Sequence, residues 1–268
     1  MKLIPEDSDI LVCTDFDEIF EEGWAKILRE HWQPDDDRCH YTYAWSHNEL
    51  GEPQDVFIYD KIHTRDYYWK FPVHEVLYPK DMDKVENILY AGEHIYLHHL
   101  QDMSKPRNYY FDLLELSVKE NPENAHCRML LAREYLLKRD YQKAIEEYLK
   151  CLDYEEIYLP QNKLVLLETY GRLGDLYGWN ETQDLGKAFY YFSKFLQVDS
   201  SYREPYFCMA DIYNSQGIYT LAEAMIKAGL QYSIRHYDWV ERKDFWIAKA
   251  DELLLTTYLN LKDYKLAV

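Results

Sequence analysis

Two carboxylates one residue apart, Asp15 and Asp17, follow a short apolar run, Ile10-Leu11-Val12-Cys13. A strand that ends this way sets hard oxygen ligands at the edge of a sheet. Their chemical use would be a divalent cation, Mg²⁺ or Mn²⁺, that bridges a nucleotide diphosphate and neutralises it as it departs. The plainer alternative is a solvated turn in which Asp17 or Glu18 caps the next helix. A second group is Lys61-Ile62-His63-Thr64-Arg65 with Trp69-Lys70-Phe71-Pro72-Val73-His74-Glu75. Adjacent His74 and Glu75 near a tryptophan could line a polar pocket with a stacking wall for a sugar or base. Glu75 could take a proton from an acceptor hydroxyl. The alternative is a loop with scattered charges and a core tryptophan. The third group is His98-His99. Neighbours on a strand face opposite ways, so one of the two can join a site on a given face. Beside Asp15 and Asp17 that histidine becomes a candidate third metal ligand.

The elements that must position these groups read as α+β. Residues 21–32 have helical spacing, with Trp24, Ile27, Leu28 and Trp32 on one side. Residues 40–45 alternate like a half-buried strand, Asn48-Glu49-Leu50-Gly51 is a turn, and residues 56–62 form the next strand, which predicts a hairpin. Residues 93–99 predict another strand, with Ile95, Leu97 and His99 on one face.

Near residue 105 the periodicity changes to helical and stays so. Met103-Ser104-Lys105-Pro106-Arg107 marks the join, dividing the chain into 1–104 and 105–268. Leu131-Ala132, Tyr135, Ala144, Tyr148 and Cys151 recur in type as Met209-Ala210, Tyr213, Gly217, Tyr219, Ala222 and Ile226, with Pro205 opening that copy. A looser copy keeps Ala188, Phe192 and Phe195 in its second helix. Its first helix is expected near residues 164–176, followed by an insertion over 177–184. A fourth copy starts with Leu254-Leu255, Tyr258, Tyr264 and Ala267. Small residues at such positions mark close helix crossings, and the pattern is that of tetratricopeptide repeats, which predicts an all-α solenoid. The remainder of the fourth copy's second helix is absent, so its last apolar face is expected to be exposed unless a partner covers it; the alternative is that residues 258–268 are a frayed capping helix.

Composition narrows the function. The chain has 268 residues, 48 acidic against 30 basic, and a formal charge of −18. That balance excludes a phosphate-backbone binder and hence nucleic acid as partner. No apolar run is long enough to span a bilayer, and the N-terminus lacks a signal-peptide core. The five cysteines form no Cys-x-x-Cys pair and read as reduced thiols of a cytoplasmic protein. No phosphate loop, nucleophile elbow or Gly-x-Gly-x-x-Gly fingerprint occurs, so kinase, hydrolase and dehydrogenase chemistry have no residues to stand on. The 27 tyrosines suit half-buried helix faces or a recognition surface.

In order, these segments resemble family-2 glycosyltransferases of bacterial and phage type that carry a tetratricopeptide tail. The likeness lies in Ile10-Leu11-Val12-Cys13-Thr14-Asp15-Phe16-Asp17-Glu18 with Gly23-Trp24, in Tyr43-Ala44-Trp45-Ser46, Lys61-Ile62-His63, Pro72-Val73-His74-Glu75 and His98-His99, and in Ser104-Lys105-Pro106-Arg107 with Leu113-Leu114-Glu115-Leu116-Ser117-Val118-Lys119-Glu120-Asn121-Pro122. It implies a GT-A-type mixed sheet and transfer of a sugar from a nucleotide-sugar donor to a protein or glycan acceptor. It implies Asp15 and Asp17 as the cation and diphosphate site, with Mn²⁺ or Mg²⁺. It implies His99 as third ligand ahead of His98, since His99 shares a face with Ile95 and Leu97 and fits the spacing to Arg107. Glu75 would be the acceptor base, with His74 beside it. In that family about 100 residues of donor-binding strands precede the paired aspartates, the size of half a domain. Fourteen precede Asp15 here, so the chain reads as the C-terminal part of such an enzyme. The competing expectation is a non-enzymatic scaffold whose repeats bind a basic or aromatic-anchored protein partner.

Overall fold

The computed structural model describes residues 4–5, 7–73, 75–100, 110–179, 184–236, 238, 240–242 and 244–261. Contacts divide the chain into two compact units, Met1–Tyr109 and Tyr110–Val268. No described helix is long and apolar enough to cross a membrane.

The first unit is a mixed sheet with one helix. Its elements are β1 (Leu11–Val12), β2 (Glu18–Phe20), α1 (Trp24–His31), β3 (Arg38–Ala44), β4 (Val56–His63), β5 (Tyr67–Lys70), β6 (Val76–Pro79), β7 (Ile88–Tyr90) and β8 (Tyr96–His99). The strand order is β1-β4-β3-β8-β2, with β7 also paired to β3, while β5 and β6 form a separate two-stranded sheet. β3 and β4 are the antiparallel hairpin that the alternation predicts. Its turn is held by Asn48, whose Oδ1 accepts from the amides of Leu50 and Glu52, with Gly51 at φ 80°. β7 and β8 run parallel to β3, so the sheet is mixed.

The core lies between the sheet and α1. Tyr41, Cys39, Ile62, Ile95 and Leu97 are buried, and Leu28 of α1 joins them, flanked by Trp24, Ile27 and Trp32. The strand expected over 93–99 starts only at Tyr96. His94 and Ile95 instead send their amides back to the Ala91 carbonyl in a turn.

The second unit is all helix: α2 (Tyr110–Glu120), α3 (Ala125–Leu137), α4 (Tyr141–Cys151), α5 (Lys163–Trp179), α6 (Leu185–Val198), α7 (Glu204–Ser215), α8 (Tyr219–Leu230), α9 (Asp244–Ile247) and α10 (Lys249–Leu261), with 3₁₀ turns at Glu155–Tyr158 and Pro160–Asn162. α3 packs on α4, α5 on α6 and α7 on α8, and α3, α5 and α7 are neighbours in turn. Asn124, Asp140 and Asp184 cap α3, α4 and α6, each accepting from the amide three residues on. The recurring residues are the packed ones: Ala132, Ala144, Tyr148, Cys151, Ala188, Phe192, Phe195, Ala210, Ala222 and Ile226 are all buried.

Two expectations change. The insertion expected from residue 177 begins later, because α5 runs on to Trp179 and buries Tyr177. The small residue of this copy is Gly174; a methyl there would lie 2.5 Å from the Phe192 ring. In addition, described residues between α8 and α10 pack against α7 and the turn before it. His236 stacks on Tyr202 at 3.8 Å, Arg203 lies over Trp246, and Phe245 stacks on Phe207. The join at 103–107, and Tyr264, Ala267 and Val268 of the fourth copy, lie outside the described residues.

Candidate functional site

β1 and β2 lie at opposite ends of the strand order, so residues 13–17 carry the chain across the sheet. Asp15 and Asp17 are on this crossing. Its floor is Lys61 of β4, whose Nζ donates to Asp15 Oδ2 at 2.9 Å and to Glu18 Oε1 at 2.7 Å. Tyr43 donates its hydroxyl to Glu18 Oε1 at 2.8 Å, and the Asp15 amide donates to Glu18 Oε2 at 2.9 Å. Glu18 is therefore fully hydrogen-bonded, as a carboxylate with 1% side-chain exposure must be. Burial alone would lower the Lys61 pKa, but its bonds to Asp15 and Glu18 outweigh that and hold it above the ordinary lysine value. Burial also pushes the neighbouring Tyr59 up to about 12.

Asp15 is 71% exposed in its side chain, and one of its oxygens is taken by Lys61. Asp17 faces His99, with 3.8 Å between Oδ2 and Nε2. The His99 Nδ1–H donates to the Trp45 carbonyl at 3.2 Å, and the ring stacks on the Trp45 indole at 4.6 Å. In the neutral ring that bond leaves the Nε2 lone pair directed at Asp17, the arrangement in which a second hydrogen bond orients a ligating imidazole. His98 turns to the other face, as strand alternation requires, and contacts His47 and Glu21 at 2.9 Å each.

The structure thus brings Asp17 beside His99 and places Asp15 on the Lys61 ammonium. Among the described residues no three histidine, cysteine, aspartate or glutamate side chains converge as a ready metal cage. Asp17 and His99 are a mixed pair of one oxygen and one nitrogen donor. Glu75 is exposed and immediately precedes β6 of the separate two-stranded sheet; His74 lies outside the described residues. No described hydrogen bond or ion pair joins Glu75 to the aspartates. Sequence reasoning named Glu18, Lys61 and Trp45 in separate segments and did not join them to Asp15, Asp17 and His99. A lysine beside Ile62 in the buried last third of β4 is the signal that could have found them.

The helical unit carries a second candidate, a row of alternating charge across consecutive helices. Arg133 of α3 lies 3.8 Å from Glu168 of α5, and Arg172 bonds Glu168 at 3.0 Å. Arg172 also lies 3.8 Å from Asp175, which Arg242 reaches at 3.3 Å. Farther on, Lys249 of α10 pairs with Asp211 of α7 at 3.3 Å.

No protein-family model and no curated protein matches the chain. Among solved structures it is similar to one from the functional characterization of Pseudomonas aeruginosa pilF, at 15% identity and TM-score 0.45, covering 58% of this chain. The chain spans 62% of the length of that structure. It is also similar to TTC0263, a thermophilic TPR protein of Thermus thermophilus, at 21% identity and TM-score 0.39, covering 60% of this chain and 77% of that one.

Proposed function

We propose that the helical unit is a scaffold that binds a partner polypeptide along the face shared by α3, α5 and α7. The observation that carries this reading is the row Arg133–Glu168–Arg172–Asp175–Arg242, in which α3, α5 and the segment before α9 offer charges of alternating sign. Such a row gives register and orientation to an extended segment, since like charges placed opposite each other repel. The acidic balance of the chain favours a basic or aromatic-anchored partner. The test starts from peptides selected on the intact chain. Asp211 follows Ala210 on α7 as Arg133 follows Ala132 on α3, and reversing Asp211 to lysine is expected to weaken the best of them by about tenfold. Unchanged affinity would remove the reading.

The sheet unit supports a second reading, on the separate observation that Asp17 and His99 meet with the imidazole already oriented. In it, the unit is part of a metal-dependent glycosyltransferase that uses a nucleotide-sugar donor and a protein or glycan acceptor. Asp15, Asp17 and His99 would hold Mn²⁺ or Mg²⁺, which supplies charge neutralisation at the diphosphate. Lys61 adds fixed positive charge at the same crossing. Glu75, with His74, would take the acceptor proton. Manganese with UDP or GDP should then raise the melting temperature by several degrees, since a ligand of the folded state alone stabilises it. Asp15→Ala and Asp17→Ala should each abolish the rise. No rise in the parent chain at millimolar ligand would count against this reading.

A further inference from the structure

Glu204 opens α7 and is 6% exposed. Its Oε1 accepts from the Arg242 amide at 2.7 Å, while Oε2 is buried and has no hydrogen-bond partner among the described residues. Glu204 lines a cavity of about 30 Å³, together with Leu167 and Gly171 of α5, Phe195 of α6, and Val240. The other charges at this cavity are already matched. Arg172 is shared by Glu168 and Asp175, and Arg242 goes to Asp175. Glu204 is the carboxylate left without a cation, and an unpaired buried acid of this kind is destabilising.

We propose that this cavity is a subsite for a primary ammonium, the end of a lysine side chain on the polypeptide bound along the α3–α5–α7 face; it rests on that reading of the face. The cavity has room for a small head group, and the single free oxygen Oε2 offers a point acceptor, which suits an ammonium better than the two parallel bonds of a guanidinium fork. The apolar walls from Leu167 and Phe195 suit a methylene stem, and Oε2 supplies the acceptor. Burial pushes the Glu204 carboxyl up to about 7; the Arg242 amide and side chain oppose this, and Glu241 reinforces it. Arg172, Glu168 and Asp175 of α5 and Cys208 of α7 are the remaining polar groups at the cavity. An ammonium at Oε2 favours the charged form and draws that titration down.

The experiment is a carbon-13 carboxyl NMR titration of the full chain, with Glu204 assigned through Glu204→Gln. It is run with n-butylammonium, with n-butanol and with n-butylguanidinium. The expected result is a midpoint lower by about one pH unit with n-butylammonium alone, which is a tenfold preference for the ionised carboxyl. An unmoved midpoint means the cavity holds water only and overturns the proposal; an equal shift with n-butylguanidinium overturns the ammonium assignment. Gly171→Leu fills the cavity and leaves Glu204 in place, since a side chain starting at that Cβ meets the Phe195 ring at an ordinary 3.5 Å. It should abolish the response, and a response that survives places the amine elsewhere and overturns the proposal. Peptides selected on the intact chain should lose about tenfold in affinity when their lysine becomes norleucine, and Glu204→Gln should erase that difference. If the difference persists, lysine is not read here. The face itself is tested separately at Asp211, which does not line the cavity, so either failure can be recognised by itself.

Discussion

The sheet unit and the helical unit place their charges by opposite strategies. In the sheet unit the central ion pair, Lys61 with Glu18, joins residues 43 apart in sequence and lies almost fully out of solvent. In the helical unit many pairs are local and partly exposed, such as Lys227 with Glu223 four residues apart, while Arg128 with Glu147, Arg133 with Glu168 and Arg242 with Asp175 join helices or segments distant in sequence. The difference teaches where each unit can be broken. A local pair supports its own turn of helix. A buried long-range pair fixes a whole chain crossing, and with it the placement of Asp15. Lys61→Met is therefore the sharpest way to break the comparison. It leaves the Glu18 carboxylate buried without its cation and should destabilise the sheet unit by about 3–5 kcal/mol. Urea denaturation measures this. Adding Glu18→Gln should recover more than half of the loss, because the carboxamide oxygen can accept from the Asp15 amide while its NH2 donates to the Tyr43 hydroxyl oxygen.

The next effect belongs to the helical unit and is read by pH. Glu204 has its pKa raised from 4.5 to about 7, chiefly by burial. Between those values the folded chain holds a proton that the unfolded chain has released. The contribution of Glu204 is therefore fully present below about pH 4.5 and is lost as pH rises through about 7. The loss amounts to about 3 kcal/mol if the site is as dry as its exposure indicates. Urea midpoints measured between pH 5 and 8 should show that slope in the parent chain and a flatter profile in Glu204→Gln.

How much of this was legible in the sequence differs between the units for a physical reason. The helical repeats show because each buried residue recurs at a spacing set by local geometry; Ala132 and Ala210, and Ala144 and Ala222, are the same position twice. The degenerate copy misled because its small residue is Gly174 rather than alanine, so α5 was expected to stop a turn early. The β3–β4 hairpin was legible from alternation and its Asn48–Gly51 turn. The crossing over Lys61 was not, since it depends on which strands become neighbours, and β1 and β2 are adjacent in sequence but at opposite ends of the strand order. The pairing of Asp17 with His99 rather than His98 follows from strand alternation once β8 is placed beside β2. The described residues between α8 and α10 offered no pattern, because their order comes from single contacts such as His236 on Tyr202.

Gly174 also gives the third test, which sharpens the contrast by showing tight packing where charge plays no part. Alanine is the better helix former by about 1 kcal/mol, yet its methyl would sit within 2.7 Å of three atoms of the Phe192 ring. Packing should win, and Gly174→Ala should lower stability by about 1–3 kcal/mol in thermal or urea unfolding. Gly174→Ala with Phe192→Leu should recover part of that loss, because the shorter side chain withdraws the ring from the contact.

The smallest effect has the opposite sign, and it comes from comparing two turns of the same unit. α3 and α7 end in one motif. The Asp140 amide donates to the Tyr135 carbonyl in the first, and the Ile218 amide to the Tyr213 carbonyl in the second. The residue between helix and bond must enter the left-handed region in both. At α7 it is Gly217 with φ 72°, but at α3 it is Arg139 with φ 61°. A side chain in that conformation is unfavourable by about 1 kcal/mol or more, while glycine adopts it freely. Arg139 itself makes no described ion pair that its loss would forfeit. Arg139→Gly is therefore expected to stabilise the helical unit by about 0.5–1 kcal/mol, less than the full strain because glycine also loosens the unfolded chain. A rise of a few degrees in melting temperature checks it. Gly217→Arg is the mirror experiment. If both turns obey the same backbone rule, it should lower stability by about the same amount, and equal destabilisation by both changes would show that the two turns are not equivalent.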